Sequence, residues 1–433
     1  MVAQNEIASS LSKKQISLLL LIDFSKAFDM VNHDILLAKL NHYGIRGIAN
    51  KWFKSYLSNR EQYVCINGKS SSKQSLKYSV PQGSILGPLL FVIYINDMPN
   101  INNIAKFILY ADDANIIISG NNISEISTKF CELSKALVDW VSQNELLINT
   151  KKTYYMIFTR SRNLNMEAFV PKIANIPIRR TTVARFLGVL IDDKLSWTEH
   201  IAAIKSKMSK YIGVLYKLKH ILPLKARLTT FNSLVQSHIN FCSLVWGSTT
   251  KSKIDSLFTT QKKAMREVMP GWVNYFYKNG LCPSHTKSSF MDFGILTVQN
   301  IVLRNILIFI NKVHNFPNQL PDSVRQTIPS HALSVNANND YCSEWYTTYN
   351  SIPFNKTTFF KGPLLYNNIM TDNPQLHYIS RDNFKKQSKI YLIKVQSSGD
   401  ILEWQTDNFK LTNITGLRRS ARLLQQADTK NST

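Results

Sequence analysis

The sequence predicts an α+β protein, on three observations. Short unbroken apolar runs, the length of buried strands, recur between about residues 15 and 195. Amphipathic stretches of helical spacing separate them, with no repeat. Beyond about residue 195 helical patterns dominate, so a mixed first half is followed by a mostly helical second half.

The elements follow in order. "QISLLLLID" (15–23) reads as a buried strand. "AFDMVNHDILLAKLNHYG" places Phe28, Val31, Ile35, Leu36 and Leu40 on one helical face, with Gly44 as the stop. "ANKWFKSYLSN" predicts a second helix, and "EQYVCING" alternates into Asn67-Gly68, a hairpin signal. "ILGPLLFVIYINDM" reads as a buried helix with Pro88 near its start, where a missing N–H is tolerated. "NIAKFILY" and "ANIIISG" are strands separated only by Ala111-Asp112-Asp113. "SEISTKFCELSKALVDWVSQNEL" is an amphipathic helix capped at Ser124, with Ile126, Phe130, Leu133, Leu137 and Trp140 inward. "KTYYMIF" and "RFLGVLID" are further strands, and two long helical patterns follow.

A chain of 433 residues can hold two or three domains. Its 52 basic against 28 acidic residues, a formal charge of +24, point to a polyanionic partner. Twelve basic residues fall between 199 and 270 against three acidic ones, which favours contact with a duplex backbone over an ordinary solvated face. The longest apolar stretch, "ILGPLLFVIYI", is about half the roughly 20 residues a spanning helix needs, so no membrane association is expected. "KKQISLLLLID" lacks the cleavage site of a secretion signal. The five cysteines are odd in number and widely spaced, which suggests a reducing, intracellular compartment, nuclear or cytoplasmic. "CPSH" at 282–285 lacks partners at metal-ligand spacing.

The adjacent carboxylates of "FILYADDANIII" (107–118) need a reason, because Asp112 and Asp113 repel each other within an apolar run. A surface turn is one reason and a metal site the other. Asp23 ends another strand. If the two strands share a sheet, their carboxylates converge at one edge, an oxygen donor set suited to magnesium. Two such ions would suit in-line phosphoryl displacement.

"LIDFSKAFD", "SVPQGSILGPLLFVIYINDMP", "FILYADD", "ELLINTKKT" and "RFLGVLIDDKLSW" occur in one order, and each is similar to a successive block of the reverse transcriptase palm. The chain resembles the polymerase of a non-LTR retrotransposon, similar to the jockey-like insect elements. The resemblance implies a right-hand polymerase palm, an antiparallel sheet with packed helices, followed by a mostly helical thumb and C-terminal region. It implies that Asp23, Asp112 and Asp113 ligate two magnesium (or manganese) ions, with the Phe24 carbonyl completing a shell. Phe28 would be the aromatic gate against a 2′-hydroxyl, its rival role being a core residue. Gln82 and Gly83 would face the incoming deoxynucleoside triphosphate and the template base. Lys152 would neutralise or protonate the leaving pyrophosphate. Residues 186–192 would grip the primer end, and Lys205, Lys207, Lys210, Lys217 and Lys219 would touch the RNA–DNA duplex. Asp29 reads as a solvated or capping acid, His33, His200 and His238 as structural, and Trp140 and Trp197 as core.

The expected divisions are a remnant at 1–16 with the fingers largely missing, a palm at 17–197, a thumb-like region at 198–300 and an accessory region at 301–433. Two functions follow as expectations. One is an RNA-directed DNA polymerase extending a DNA primer on an RNA template. The other is a catalytically inactive nucleic-acid-binding remnant of a truncated element. A maturase or telomerase fits less well, because of "FLGVLIDDKLSW".

Overall fold

The computed structural model describes residues 1–161, 169–269, 293–320 and 379–398, with single positions between the last three segments. "CPSH", the Asn-rich stretch at 335–340 and the basic end at 418–422 lie outside the described residues. Two compact units form: Lys13–Leu187, and Met1–Ser12 together with the chain from Gly188 onward.

The first unit is built on a five-stranded sheet. Its strands are β1 (Ile16–Ile22), β2 (Lys106–Tyr110), β3 (Asp113–Gly120), β4 (Tyr154–Phe158) and β5 (Arg179–Arg180), in the spatial order β5-β4-β1-β3-β2. Pairings are antiparallel except at the β5 edge, which runs parallel to β4. Leu18, Leu19 and Leu20 are fully buried on β1, as are Ile116 on β3 and Met156 on β4. Because successive residues point to opposite faces, both faces of these strands are covered, and the runs are therefore continuously apolar. Helices His33–His42, Leu86–Ile95 and Ile123–Gln143 supply Leu36, Leu40, Phe91, Tyr94, Phe130 and Leu137 to the core on one face.

Lys39 ties this layer together. Its ammonium meets Asp97 at 2.8 Å and lies 5.0 Å from the Tyr94 ring centroid and 5.3 Å from that of Trp140. Asn67 and Gly68, at φ 49° and 78°, turn the hairpin between Cys65–Ile66 and Lys69–Ser70 as expected of a two-residue loop.

Two local expectations are corrected. Phe28 is not on the helix: Ala27–Met30 form a single 3₁₀ turn entered through left-handed Lys26, and the helix begins at His33 with Asn32 as its cap. The Asn32 side chain accepts from the Asp34 and Ile35 amides, a stronger start signal than continued apolar spacing. The helix Ile123–Gln143 is capped by Asn122 rather than Ser124, since Asn122 accepts the Glu125 amide at 2.8 Å.

The second unit is helical. Thr198–Leu218 turns Ile201, Ile204, Met208 and Leu215 inward and pairs with Lys251–Val268, while Val298–Asn315 pairs with Arg381–Ser398. Gln261, fully buried, satisfies its amide on Gln236, the Leu296 carbonyl and the Val298 N–H. No helix among the described residues is long and apolar enough to cross a membrane.

Candidate active site

The sheet register brings the carboxylates together. β1 pairs Ile22 with Ala114, so one residue further Asp23 stands opposite Asp113. On the other side of β3, Tyr110 pairs with Asp113, leaving Ala111 and Asp112 as a two-residue turn with Ala111 at φ 50°. A non-glycine residue there is strained. The Asp113 carboxyl is pushed above its ordinary value first by desolvation, then by the charges of Asp112 and Asp23. The three carboxylates are thus mutually repelling neighbours at one sheet edge.

Asp23 is also stitched to the segment after the helix Ile123–Gln143. The Asn149 amide donates to the Asp23 carbonyl at 2.8 Å, and the Asp23 amide donates to Thr153 Oγ1 at 3.3 Å. Phe24, 5% exposed, bridges Ile148. Lys152 sits in the tight turn closed by its own amide on the Asn149 carbonyl. A cleft of about 490 Å³ results, in which Asp23 and Asp113 share the lining with Lys152, Arg179, Arg180 and Arg185. The three arginines follow no motif. The parallel β5 edge places Arg179 and Arg180 beside Tyr154 and Tyr155, and no spacing in the sequence announces it.

Phe28 and the Pro81-Gln82-Gly83 segment are joined through the backbone. The Ser79 amide donates to the Val31 carbonyl at 2.9 Å and the Val80 amide to the Phe28 carbonyl at 3.0 Å. The Phe28 ring packs 4.6 Å from that of Phe91 and is half-buried. Gly83 takes φ 78°, a left-handed conformation that favours glycine. Gln82 does not line the carboxylate cleft; its amide donates to Asp29 at 2.8 Å. Asp29 is therefore engaged, not merely solvated.

The basic helix divides. Lys205 donates to Ser256 at 2.6 Å, and Lys219 pairs with Glu267 at 3.2 Å over the Tyr216 ring. Lys207, Lys210 and Lys217 are exposed. His33 bonds the Ser79 carbonyl, His238 stacks on Tyr211, and His200, Trp140 and Trp197 are buried.

Among the described residues no three His, Cys, Asp or Glu side chains stand gathered as a ready metal cluster. The donor chemistry nevertheless suits a hard divalent cation: Asp23 and Asp113 share the cleft lining, and the charges of Asp112 and Asp23 act on the Asp113 carboxyl, a repulsion such an ion would relieve.

The five-stranded sheet, its tight turn and the carboxylates at the strand ends are the arrangement expected of a polymerase palm. Residues 3–214, just under half of the chain, match the family model described as reverse transcriptase (RNA-dependent DNA polymerase). The chain is similar to the "Probable RNA-directed DNA polymerase from transposon X-element" of Drosophila melanogaster, 22% identical over 76% of this chain and 36% of the relative. It is also similar to the "RNA-directed DNA polymerase from mobile element jockey" of the same fly, 24% identical over 61% of this chain and 30% of the relative. The chain spans about a third of the length of these curated relatives. Among solved structures, apo telomerase from Candida tropicalis aligns at 11% identity with a TM-score of 0.36, over 69% of this chain and 49% of that one. That likeness is slight.

Proposed function

We propose that this chain is the RNA-directed DNA polymerase of a non-LTR mobile element, adding deoxynucleotides to the 3′-hydroxyl of a DNA primer on an RNA template. The observation that carries the reading is the register that sets Asp23 opposite Asp113, with Asp112 in the adjoining turn, inside the stretch that matches the reverse transcriptase family.

Asp23, Asp112 and Asp113 would hold magnesium, with manganese as substitute and the Phe24 carbonyl as a further donor. The metal would supply stabilisation of the entering and leaving oxygens of an in-line displacement. The chain's own groups do the rest. Lys152, on the cleft wall with Asp23, neutralises or protonates the departing pyrophosphate. Phe28 sits under the sugar and excludes a 2′-hydroxyl. Gln82 and Gly83 position the incoming nucleotide against the template base. The exposed Lys207, Lys210 and Lys217 face the duplex backbone. Lys205 and Lys219 contribute less there, because Ser256 and Glu267 already hold them. The activity would belong to nucleus or cytoplasm, in keeping with the odd number and wide spacing of the five cysteines.

The test is primer extension on oligo(dT) annealed to poly(rA), with magnesium or manganese, beside an Asp112→Ala/Asp113→Ala control. Extension lost in the control establishes the reading. Absence of extension by the parent, with salt-sensitive duplex binding retained, makes the chain a nucleic-acid-binding remnant instead.

A further inference from the structure

The helix Gly47–Leu57 is anchored on one side only. Leu57 is fully buried and Phe53 packs against the core of the first unit, while the half-buried Tyr56 lies at the margin, touching the core and also bordering the outer face. The other side carries Ile48, 87% exposed, and Trp52, 53% exposed. Ile48, Trp52 and Tyr56 recur every fourth residue and so share one face. Trp52 and Tyr56 are stacked nearly parallel, 5.6 Å between centroids at 8°. Phe53 braces the indole edge-on at 5.1 Å, and the Arg60 guanidinium lies 5.9 Å from the Tyr56 ring centroid.

Two large apolar side chains held out to water are costly unless something covers them. Here the rings are pre-stacked and braced, so little rotamer freedom remains to be lost on covering them.

The helix and its flanks are basic in sequence: Arg46, Lys51, Lys54 and Arg60 fall between positions 46 and 60 with no Asp or Glu, and Glu61, which follows, pairs with Lys73. Lys51 and Lys54 are exposed and form no ion pair among the described residues. A flat aromatic face with the Arg60 guanidinium over one ring, on a helix whose turns also carry the exposed Lys51 and Lys54, suits a polymer with flat faces and anionic links. Bases stack on the rings and phosphates meet the lysines, without sequence preference.

We propose that the Trp52–Tyr56 face, with Lys51, Lys54 and Arg60, binds an unpaired RNA strand, the single-stranded template away from the primer duplex. The choice of RNA rests on the polymerase reading; the stacking surface does not. Duplex bases present no free faces, so this surface discriminates for unpaired strand. It lies outside the lining of the carboxylate cleft, so strand binding there needs no divalent metal.

The experiment is fluorescence anisotropy of the whole chain with a labelled unstructured RNA oligonucleotide and with a blunt RNA–DNA duplex, in chelator. Trp52→Ala is expected to weaken the single strand about tenfold while leaving the duplex within about twofold. Trp52→Phe keeps most of the affinity, and Lys51→Gln/Lys54→Gln flattens the salt dependence. Asp112→Ala/Asp113→Ala binds the single strand like the parent, so a failure of the polymerase reading leaves this test intact. Unchanged single-strand affinity in Trp52→Ala overturns the proposal, as does an equal loss on the duplex. A single-stranded DNA of the same sequence bound more tightly than the RNA overturns the choice of RNA. Sedimentation of parent and Trp52→Ala covers the other occupant. If the parent self-associates, and the variant is monomeric with unchanged RNA affinity, the face is a protein contact and the proposal fails.

Discussion

The side-chain amide of Gln82 donates to the carboxylate of Asp29 at 2.8 Å, across 53 residues of sequence. Gln82 belongs to the Pro-Gln-Gly segment and Asp29 to the 3₁₀ turn that carries Phe28. Two backbone bonds already pair these segments, at Ser79–Val31 and Val80–Phe28. The side-chain bond therefore fixes the Gln82 rotamer on a backbone that is already set. Asp29→Ala should leave the fold intact and free the Gln82 amide. One such bond is worth about 1 kcal/mol, so a rise of about fivefold in deoxynucleotide KM is expected with kcat changed less. Asp29→Asn keeps an acceptor oxygen and should restore most of the loss. Steady-state primer extension separates the two constants; equal KM in all three proteins would reduce the bond to a surface contact.

Phe28 lies 4.6 Å from Phe91, five residues beyond Asp23. The same packing serves a gate, which must resist displacement by a sugar, and a core residue. Phe28→Val decides between them. As a gate it should raise ribonucleotide incorporation relative to deoxynucleotide by more than about tenfold, since a steric block is removed while the polar contacts stay. Single-nucleotide insertion with each sugar measures the ratio. An unchanged ratio, with a lowered unfolding midpoint, would make Phe28 a packing residue.

The parts of this site that were legible in sequence share a cause. β1, β3 and β4 are covered on both faces and must be continuously apolar, so Asp23, Asp112 and Asp113 stand out at their ends. The Asn67-Gly68 hairpin was legible because its positive φ angles demand those residues. What failed depended on competition or on distant partners. Phe28, Val31 and Ile35 have helical spacing, but left-handed Lys26 and the Asn32 cap interrupt it. Asn122 and Ser124 are both good caps, and only geometry chooses Asn122. The partners of Lys205 and Lys219 lie 51 and 48 residues away, so two of five basic-helix lysines looked available when they are held. Arg179, Arg180 and Arg185 reach the cleft through a two-residue parallel edge that carries no pattern.

His200 sets a pH dependence in the second unit. Burial first, then the charge of Lys207, lowers its pKa from 6.5 to about 4. Its Nδ1 accepts the Leu190 amide at 3.3 Å, and Nε2 has no partner among the described residues. The folded chain holds the ring neutral, whereas the unfolded chain protonates it near 6.5. The contribution is therefore full above 6.5 and is lost as pH falls toward 4. Between about pH 7.5 and about pH 5 the loss amounts to about 2 kcal/mol. Urea midpoints of the parent and His200→Gln at both pH values should diverge accordingly, the variant losing less on acidification. Parallel behaviour of the two proteins would place the acid sensitivity elsewhere.

Asp192 holds the turn that follows "FLGVLI". Its Oδ1 accepts the Lys194 and Ser196 amides at 3.1 and 2.9 Å, and its Oδ2 accepts the Trp197 amide at 2.7 Å. Asp192 is 8% exposed, and the turn carries Leu195 and Trp197 at φ 51° and 62°. Two left-handed non-glycine residues cost about 1–2 kcal/mol each, which the three charge-assisted bonds offset. The reward is the burial of Trp197, 2% exposed, at the start of the helix Thr198–Leu218. Asp192→Ala strands three amides, of which that of Trp197 is buried and the other two part-buried, and should lower stability by about 2 kcal/mol. Asp192→Asn retains one acceptor oxygen and should fall between. Asp193 accepts none of these three amides, so Asp193→Ala is the control and should be close to neutral. Urea unfolding of the three variants is the measurement. A loss in Asp192→Ala no larger than in Asp193→Ala would mean that packing of Trp197 alone sets the turn, and the acid that starts the "DDKLSW" block would then have no structural account.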